Sequence, residues 1–223
     1  LNAFDVATGK ESKLAITVPD DGLWDRPGRV SAAGEVEDFD LSPKGERALF
    51  AARGEIFTAP IENGPTRNLT RSSGAHDRAP SWAPDGKQIV YISDLSGEEE
   101  LYLVPQDGST PAKALTKGNK ARLYRAVWST DGKRVAYSDK EGRIFVVTVA
   151  DGKQVEIANE RSFQVTDYAW SPCGSWLAFS LSQANGNNAL YLYGVEDGKT
   201  RQVTEGFFNE HNPAWDPEGK YLW

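Results

Sequence analysis

Side chains able to act as ligands, bases or nucleophiles are few in this sequence, and their spacing is poor for joint action. The two histidines, His76 and His211, are far apart, and neither has a second ligand at a metal-holding spacing. No Gly-x-Ser-x-Gly elbow, Walker loop or cysteine pair occurs. Glu35, Glu37, Asp38 and Asp40 crowd together as calcium ligands would, but the EF-hand spacing is absent and the alternation around Phe39 fits a strand. Cys173 is the single cysteine. It occupies a turn slot filled elsewhere by Lys, Asp or Glu and has no basic neighbour to lower its pKa, so it reads as an exposed, unreactive thiol. The residues alone therefore lead to the expectation of no catalytic group, no metal site and no cofactor.

The elements that position these side chains follow a repeat. Ala79-Pro80-Ser81-Trp82-Ala83-Pro84-Asp85-Gly86-Lys87 returns as Ala126-Val127-Trp128-Ser129-Thr130-Asp131-Gly132-Lys133 and as Tyr168-Ala169-Trp170-Ser171-Pro172-Cys173-Gly174-Ser175. Weaker copies centre on Leu41 and Trp215, so the key apolar position recurs after 41, 46, 42 and 45 residues. A period in the low forties, with several strands per unit, is that of β-propeller blades. Each unit has a strand ending at the Trp position, a Ser-Pro-Asp-Gly-like turn and an apolar second strand. A third strand follows, then a hairpin at Asn63-Gly64, Asp107-Gly108, Asp151-Gly152 or Asp197-Gly198. The reading is all-β, with four-stranded antiparallel blades over about 36–74, 75–121, 122–163 and 164–207. Half-blades at 1–17 and 210–223 complete a partial or open propeller segment covering the chain. Residues 17–35 break the pattern and read as a long connection between blades.

In such a fold the first strand of every blade lines a central channel, and the inter-blade and second-to-third loops share one rim. That rim gathers His76, Asp77 and Arg78, then Arg122 and Arg125, Asp167, and Glu210, His211 and Asn212. The second-to-third loops add Arg53, Asp94 and Asp139. Mixed charges around a mouth suit the termini and side chains of a peptide. Arg78, Arg125, His76, His211, Asp167 and Arg53 are the channel-rim candidates. Asp77 and Glu210, each three residues before a Pro, read as ties between blades through backbone amides. The Trp series reads as core packing.

With 223 residues, 39% hydrophobic and 11% aromatic, the chain has the composition of a globular protein. Its net charge of -7 argues against a nucleic-acid partner. No apolar run is long enough to span a membrane, and no signal peptide is expected from these residues. The sequence has no Met and opens within the repeat pattern, from which a piece of a longer protein is expected. A cytoplasmic location is expected, with the periplasm as the alternative.

The Trp-Ser-Pro-Asp-Gly-Lys grammar resembles the TolB-type, WD-related repeat. A more specific stretch is Asp40-Leu41-Ser42-Pro43-Lys44-Gly45-Glu46-Arg47-Ala48-Leu49-Phe50-Ala51-Ala52-Arg53-Gly54-Glu55-Ile56-Phe57-Thr58-Ala59-Pro60, continuing to Thr66-Arg67-Asn68-Leu69-Thr70. It resembles the second propeller of tricorn-type serine proteases, as do Phe4-Asp5-Val6-Ala7-Thr8-Gly9-Lys10, Asp25-Arg26-Pro27 and Ile92 to Tyr102. That resemblance implies two propellers, a PDZ-like domain and a catalytic region with Ser and His, the propellers gating peptides and products. None of those catalytic motifs has a counterpart here, so the segment is expected to filter peptides for a site elsewhere in its parent. Its expected partners are peptides, the remaining domains of the parent and, in a homo-oligomer, further copies. The alternative is a TolB-like module that binds other proteins. A third reading, the propeller cap of an oligopeptidase, requires Gly-x-Ser-x-Gly further along the parent.

Overall fold

The apolar runs between glycine turns are strands in the computed structural model, which describes residues 2–15, 31–32, 34–160, 165 and 167–223. Two compact units, Leu1–Ser31 and Ala32–Trp223, divide the chain. In the first, β1 (Asn2–Asp5) and β2 (Lys10–Lys13) pair antiparallel, Asn2 opposite Lys13. The Asp5 carboxylate closes their turn by accepting the amides of Ala7 and Thr8 at 2.9 and 3.2 Å. Most of the 17–35 connection lies outside the described residues.

In the second unit, four antiparallel sheets follow one another in chain order. Blade 1 is β3 (Val36–Leu41), β4 (Arg47–Ala52), β5 (Glu55–Pro60) and β6 (Arg67–Asn68). Blade 2 is β7 (Asp77–Trp82), β8 (Gln88–Ser93), β9 (Glu100–Pro105) and β10 (Lys113–Ala114). Blade 3 is β11 (Leu123–Trp128), β12 (Arg134–Asp139), β13 (Arg143–Thr148) and β14 (Gln154–Asn159). Blade 4 is β15 (Tyr168–Trp170), β16 (Trp176–Ser182), β17 (Asn188–Gly194) and β18 (Lys199–Gln202). The chain then starts another hairpin, with Trp215 bridged to Leu222. The fold is all-β, made of propeller blades.

One turn is built five times. The amides of Gly45, Gly86, Gly132, Gly174 and Gly219 reach the carbonyls of Ser42, Ala83, Ser129, Ser171 and Asp216 at 2.8–3.0 Å. The fourth strands of blades 1 and 2 are only two residues long. There the third strand takes a hydroxyl where a further main-chain partner would sit. Thr70 Oγ1 accepts the Ile56 amide at 3.1 Å and Thr116 Oγ1 accepts that of Leu101 at 2.9 Å. In blade 4, Thr204 does the same for Leu190 at 2.9 Å.

The core lies between blades. Leu49, Ala51 and Ile56 of blade 1 pack with Trp82, Ile89 and Tyr91 of blade 2. Ile92 and Leu101 meet Leu123, Val135 and Tyr137, and Ile144 and Val146 meet Trp170, Leu177 and Phe179. β8, β12 and β16 are buried on both faces over most of their length, so they read as unbroken apolar runs and not as alternation, whereas in β4 half-buried Ala48 and Phe50 alternate with buried Leu49 and Ala51.

The repeated Trp has a second role besides packing. Trp128 Nε1 donates to the Ser81 carbonyl at 3.2 Å, Trp170 Nε1 to Val127 at 3.1 Å and Trp215 Nε1 to Ala169 at 3.1 Å. Each acceptor immediately precedes the Trp position of the previous blade, so these three indoles each stitch their blade to the one before. Trp82 breaks the series: its buried Nε1 has no partner, while its amide donates to Asp40 Oδ2 at 2.8 Å. Asp40 Oδ1 meanwhile accepts the Leu41 amide, so this acid ties two blades.

Candidate functional site

First strands are not regular in their first halves. Ala79, Arg125 and Asn212, each three residues before a Trp, have φ of +49°, +35° and +54°. The register shifts between Arg78 and Ser81 in blade 2 and between Tyr124 and Val127 in blade 3, marking a bulge in each. A bulge re-aims the side chain that it carries, and positive φ in a non-Gly residue is costly. Arg125 therefore sits, exposed, on a strained position of a first strand.

Contacts divide the six rim candidates into three groups. Arg53, exposed with φ of +56°, occupies the β4–β5 turn. A Cβ on its neighbour Gly54 would lie 3.4 Å from His76 Cδ2, so this turn abuts the histidine. His76 Nε2 is 3.8 Å from Glu37 Oε2, and its amide donates to Asp94 Oδ1 at 2.7 Å. Arg125, Asp167 and His211 are linked through intermediates. The Arg125 guanidinium lies 5.7 Å from the centre of the Tyr168 ring, and the Tyr168 hydroxyl donates to the carbonyls of Arg125 and Tyr124. Burial pushes the Tyr168 hydroxyl pKa well above its ordinary value. Asp167 Oδ2 accepts Ser180 Oγ at 2.5 Å and the Asn212 amide at 3.0 Å, and Asn212 Nδ2 is 2.9 Å from His211 Nδ1.

Arg78 forms the third group and faces into the wall. Its NH2 reaches both Glu99 oxygens at 2.7 and 2.6 Å and the Leu123 carbonyl at 2.8 Å. Glu99 in turn accepts the Leu123 amide at 2.6 Å. Blade 2 thus grips the first residue of β11 by both its backbone groups.

Asp77 and Glu210 occupy matching places, but each carboxylate receives a hydroxyl, from Ser72 and Thr204, in place of the amides expected. Their own amides reach back to Gly54 and Asn188 carbonyls at 2.9 and 3.1 Å. Asp40 and Asp167 take the neighbouring blades' amides instead. Cys173 is exposed as expected, yet the Ser171 hydroxyl, 3.3 Å away, holds its thiol below the ordinary value. The neighbours that do this are hydroxyls, which a search for cations overlooks.

A family model described as the tricorn protease second beta propeller domain matches residues 36–223. The chain belongs to this tricorn-propeller family. Tricorn protease homolog 1 of Streptomyces coelicolor is 28% identical over 177 residues, covering 77% of this chain and 17% of that protein. The tricorn protease homolog of Saccharolobus solfataricus is 24% identical over 221 residues, 99% of this chain and 20% of its own. In three dimensions the chain is similar to the crystal structure of the tricorn protease, with a TM-score of 0.78 at 19% identity, over 99% of this chain and 21% of that one. It also resembles TolB from Acinetobacter baumannii, with a TM-score of 0.59 at 17% identity, over 84% of this chain and 47% of that one. The tricorn-type propeller described here therefore spans about a fifth of the curated relatives it matches.

Proposed function

We propose that this segment is a non-catalytic wall of a tricorn-like serine protease, sorting peptides and products for a catalytic domain elsewhere in the parent polypeptide. The observation that carries the reading is the family match over 36–223, alongside tricorn protease homologues about five times longer than this chain. The local chemistry supports it. Both histidines lean on polar neighbours, Glu37 and Asn212, and the strained Arg125 presents a cation beside the aromatic wall of the next blade. Such mixed charge at a mouth suits reversible peptide capture better than bond breaking. His76, His211, Arg53, Arg125 and Asp167 are accordingly proposed as peptide contacts, and Arg78 as acting through the wall that it holds. A cytoplasmic setting fits this role.

Hydrolysis of long and short peptides by the natural polypeptide and by a version lacking residues 36–223 tests the proposal. The expected outcome is that the shortened enzyme loses its size preference while still cleaving short peptides. An unchanged preference would rule the sorting role out.

A further inference from the structure

Between Asp107 and Asp131 the sequence has five basic side chains, Lys113, Lys117, Lys120, Arg122 and Arg125, and no acid, within a chain of net charge -7. Residues 115–122 connect blade 2 to blade 3, and the middle of this connection is pinned inward. The Asn119 amide donates to Glu100 Oε1 at 3.0 Å and Asn119 Nδ2 to Glu100 Oε2 at 2.6 Å. Thr116 Oγ1 donates to the same Oε2 at 2.5 Å, and all three residues are buried. This anchor leaves Lys117, Lys120 and Arg122 exposed. The amide of exposed Lys140, in the β12–β13 turn, donates to the Arg122 carbonyl at 2.8 Å and adds a fourth cation.

The bordering acids are turned to other uses. Glu99 holds Arg78 and the Leu123 amide, Glu100 forms the buried anchor, and Asp139 receives Arg143 at 2.6 Å. Of the exposed acids nearby, Glu141 pairs with Arg143 at 3.1 Å and Glu98 lies in the β8–β9 turn. Among the described residues, no ion pair within 4.0 Å engages Lys117, Lys120, Arg122 or Lys140.

We propose that this anchored connection is the docking surface for Asp- and Glu-rich segments of the peptides handled at the rim. The inference rests on the sorting role above and names the class of peptide recognised. Unpaired cations on a pre-ordered loop attract carboxylates without first breaking an ion pair or ordering the chain. The negative charge elsewhere on the chain repels an acidic peptide, which steers it to this patch. The same overall charge disfavours a long nucleic acid, which would track well beyond four cations.

The test measures binding of a labelled Glu-rich peptide, and of its Gln counterpart, to the full natural polypeptide by fluorescence anisotropy at low and high salt. The Glu peptide is expected to bind roughly tenfold more tightly at low salt and to lose that margin at high salt. The Lys120→Glu/Arg122→Glu variant removes the margin. Lys44→Glu/Lys87→Glu, which makes the same charge change on exposed turns at the strands' opposite ends, retains it. Equal binding of the two peptides, or equal loss in both variants, overturns the proposal. So does a single-stranded oligonucleotide that competes as well as the Glu peptide, or a patch that instead drives self-association of the chain. Melting curves for both variants identify any that fail to fold, and Lys120→Gln/Arg122→Gln then serves as the milder probe. Because binding is read without turnover, this docking surface and the sorting role fail independently.

Discussion

Trp170 Nε1 donates to the Val127 carbonyl at 3.1 Å, across the boundary between blades 3 and 4. The bond explains why an apolar repeat position carries Trp in particular: a Phe would fill much of the volume but leave the carbonyl of the previous blade without its donor. Replacing Trp170 with Phe should destabilise the fold by about 2–4 kcal/mol, combining lost burial with an orphaned carbonyl. Trp82 offers the contrast, because its Nε1 is buried without a partner. Trp82→Phe should cost less than Trp170→Phe by about 1 kcal/mol or more. Urea denaturation of the two variants measures the difference, and equal costs would mean that the indole bond adds nothing to stability.

Alkaline pH should unfold the protein through its tyrosines. Burial raises the hydroxyl pKa values of Tyr91, Tyr137 and Tyr168. In the unfolded chain they ionise near pH 10, while in the folded chain they stay neutral to a higher pH. The unfolded state then holds fewer protons than the native state, so stability is unaffected below about pH 10 and falls as the pH rises beyond it. Each tyrosine contributes up to about 1.4 kcal/mol per pH unit in that window. Absorbance of the tyrosinate form should therefore rise in two stages, the second coinciding with loss of secondary structure. A single smooth titration with the fold intact would contradict this.

Much of this architecture is legible in the sequence because one residue type serves the same physical need in every blade. The Trp period and the Gly turns expose the blade repeat, since each turn needs the same positive φ and three successive blade boundaries the same indole bond. The bulges are not legible in that way. Asn212 is a residue type that tolerates a left-handed conformation, but Ala79 and Arg125 carry no such signal, and only the tertiary pairing of first and second strands forces them there. The clamp of Arg78 on Glu99 joins residues 21 positions apart and takes in Leu123 of the next blade, so no local pattern announces it. The basic character of the blade 2–3 connection is legible in its residue types, but which of its cations face solvent is decided by the inward anchoring of Asn119, which no local pattern announces.

Gly152 should be the least replaceable of the hairpin glycines. A Cβ there would lie 2.8 Å from the Leu115 carbonyl oxygen of the neighbouring blade, and its φ is +70°. Gly198 holds the matching place in blade 4 with φ of +64° and open space around it. Gly198→Ala should therefore cost about 1 kcal/mol from the backbone alone. Gly152→Ala should cost about 2–4 kcal/mol, because backbone of two blades must also separate. Thermal unfolding of both variants gives the ranking, and a reversed order would show that the blade 2–3 contact is loose.

Arg78 separates the role of holding the wall from that of touching a peptide. Its side chain is only 13% exposed and that of Glu99 22%, so the pair is largely shielded from water. Truncating Arg78 to Ala leaves the Glu99 carboxylate with only the Leu123 amide and removes the donor to the Leu123 carbonyl. The expected cost is about 2–4 kcal/mol. Arg78→Lys keeps the charge but cannot span two carboxylate oxygens and a carbonyl with one planar fork, so it should recover less than half of that loss. If Arg78 acted instead as a direct peptide contact, the Lys variant would retain full stability and lose affinity for peptide. The wall role predicts the reverse, a lower melting temperature with peptide affinity preserved under conditions where the variant is folded.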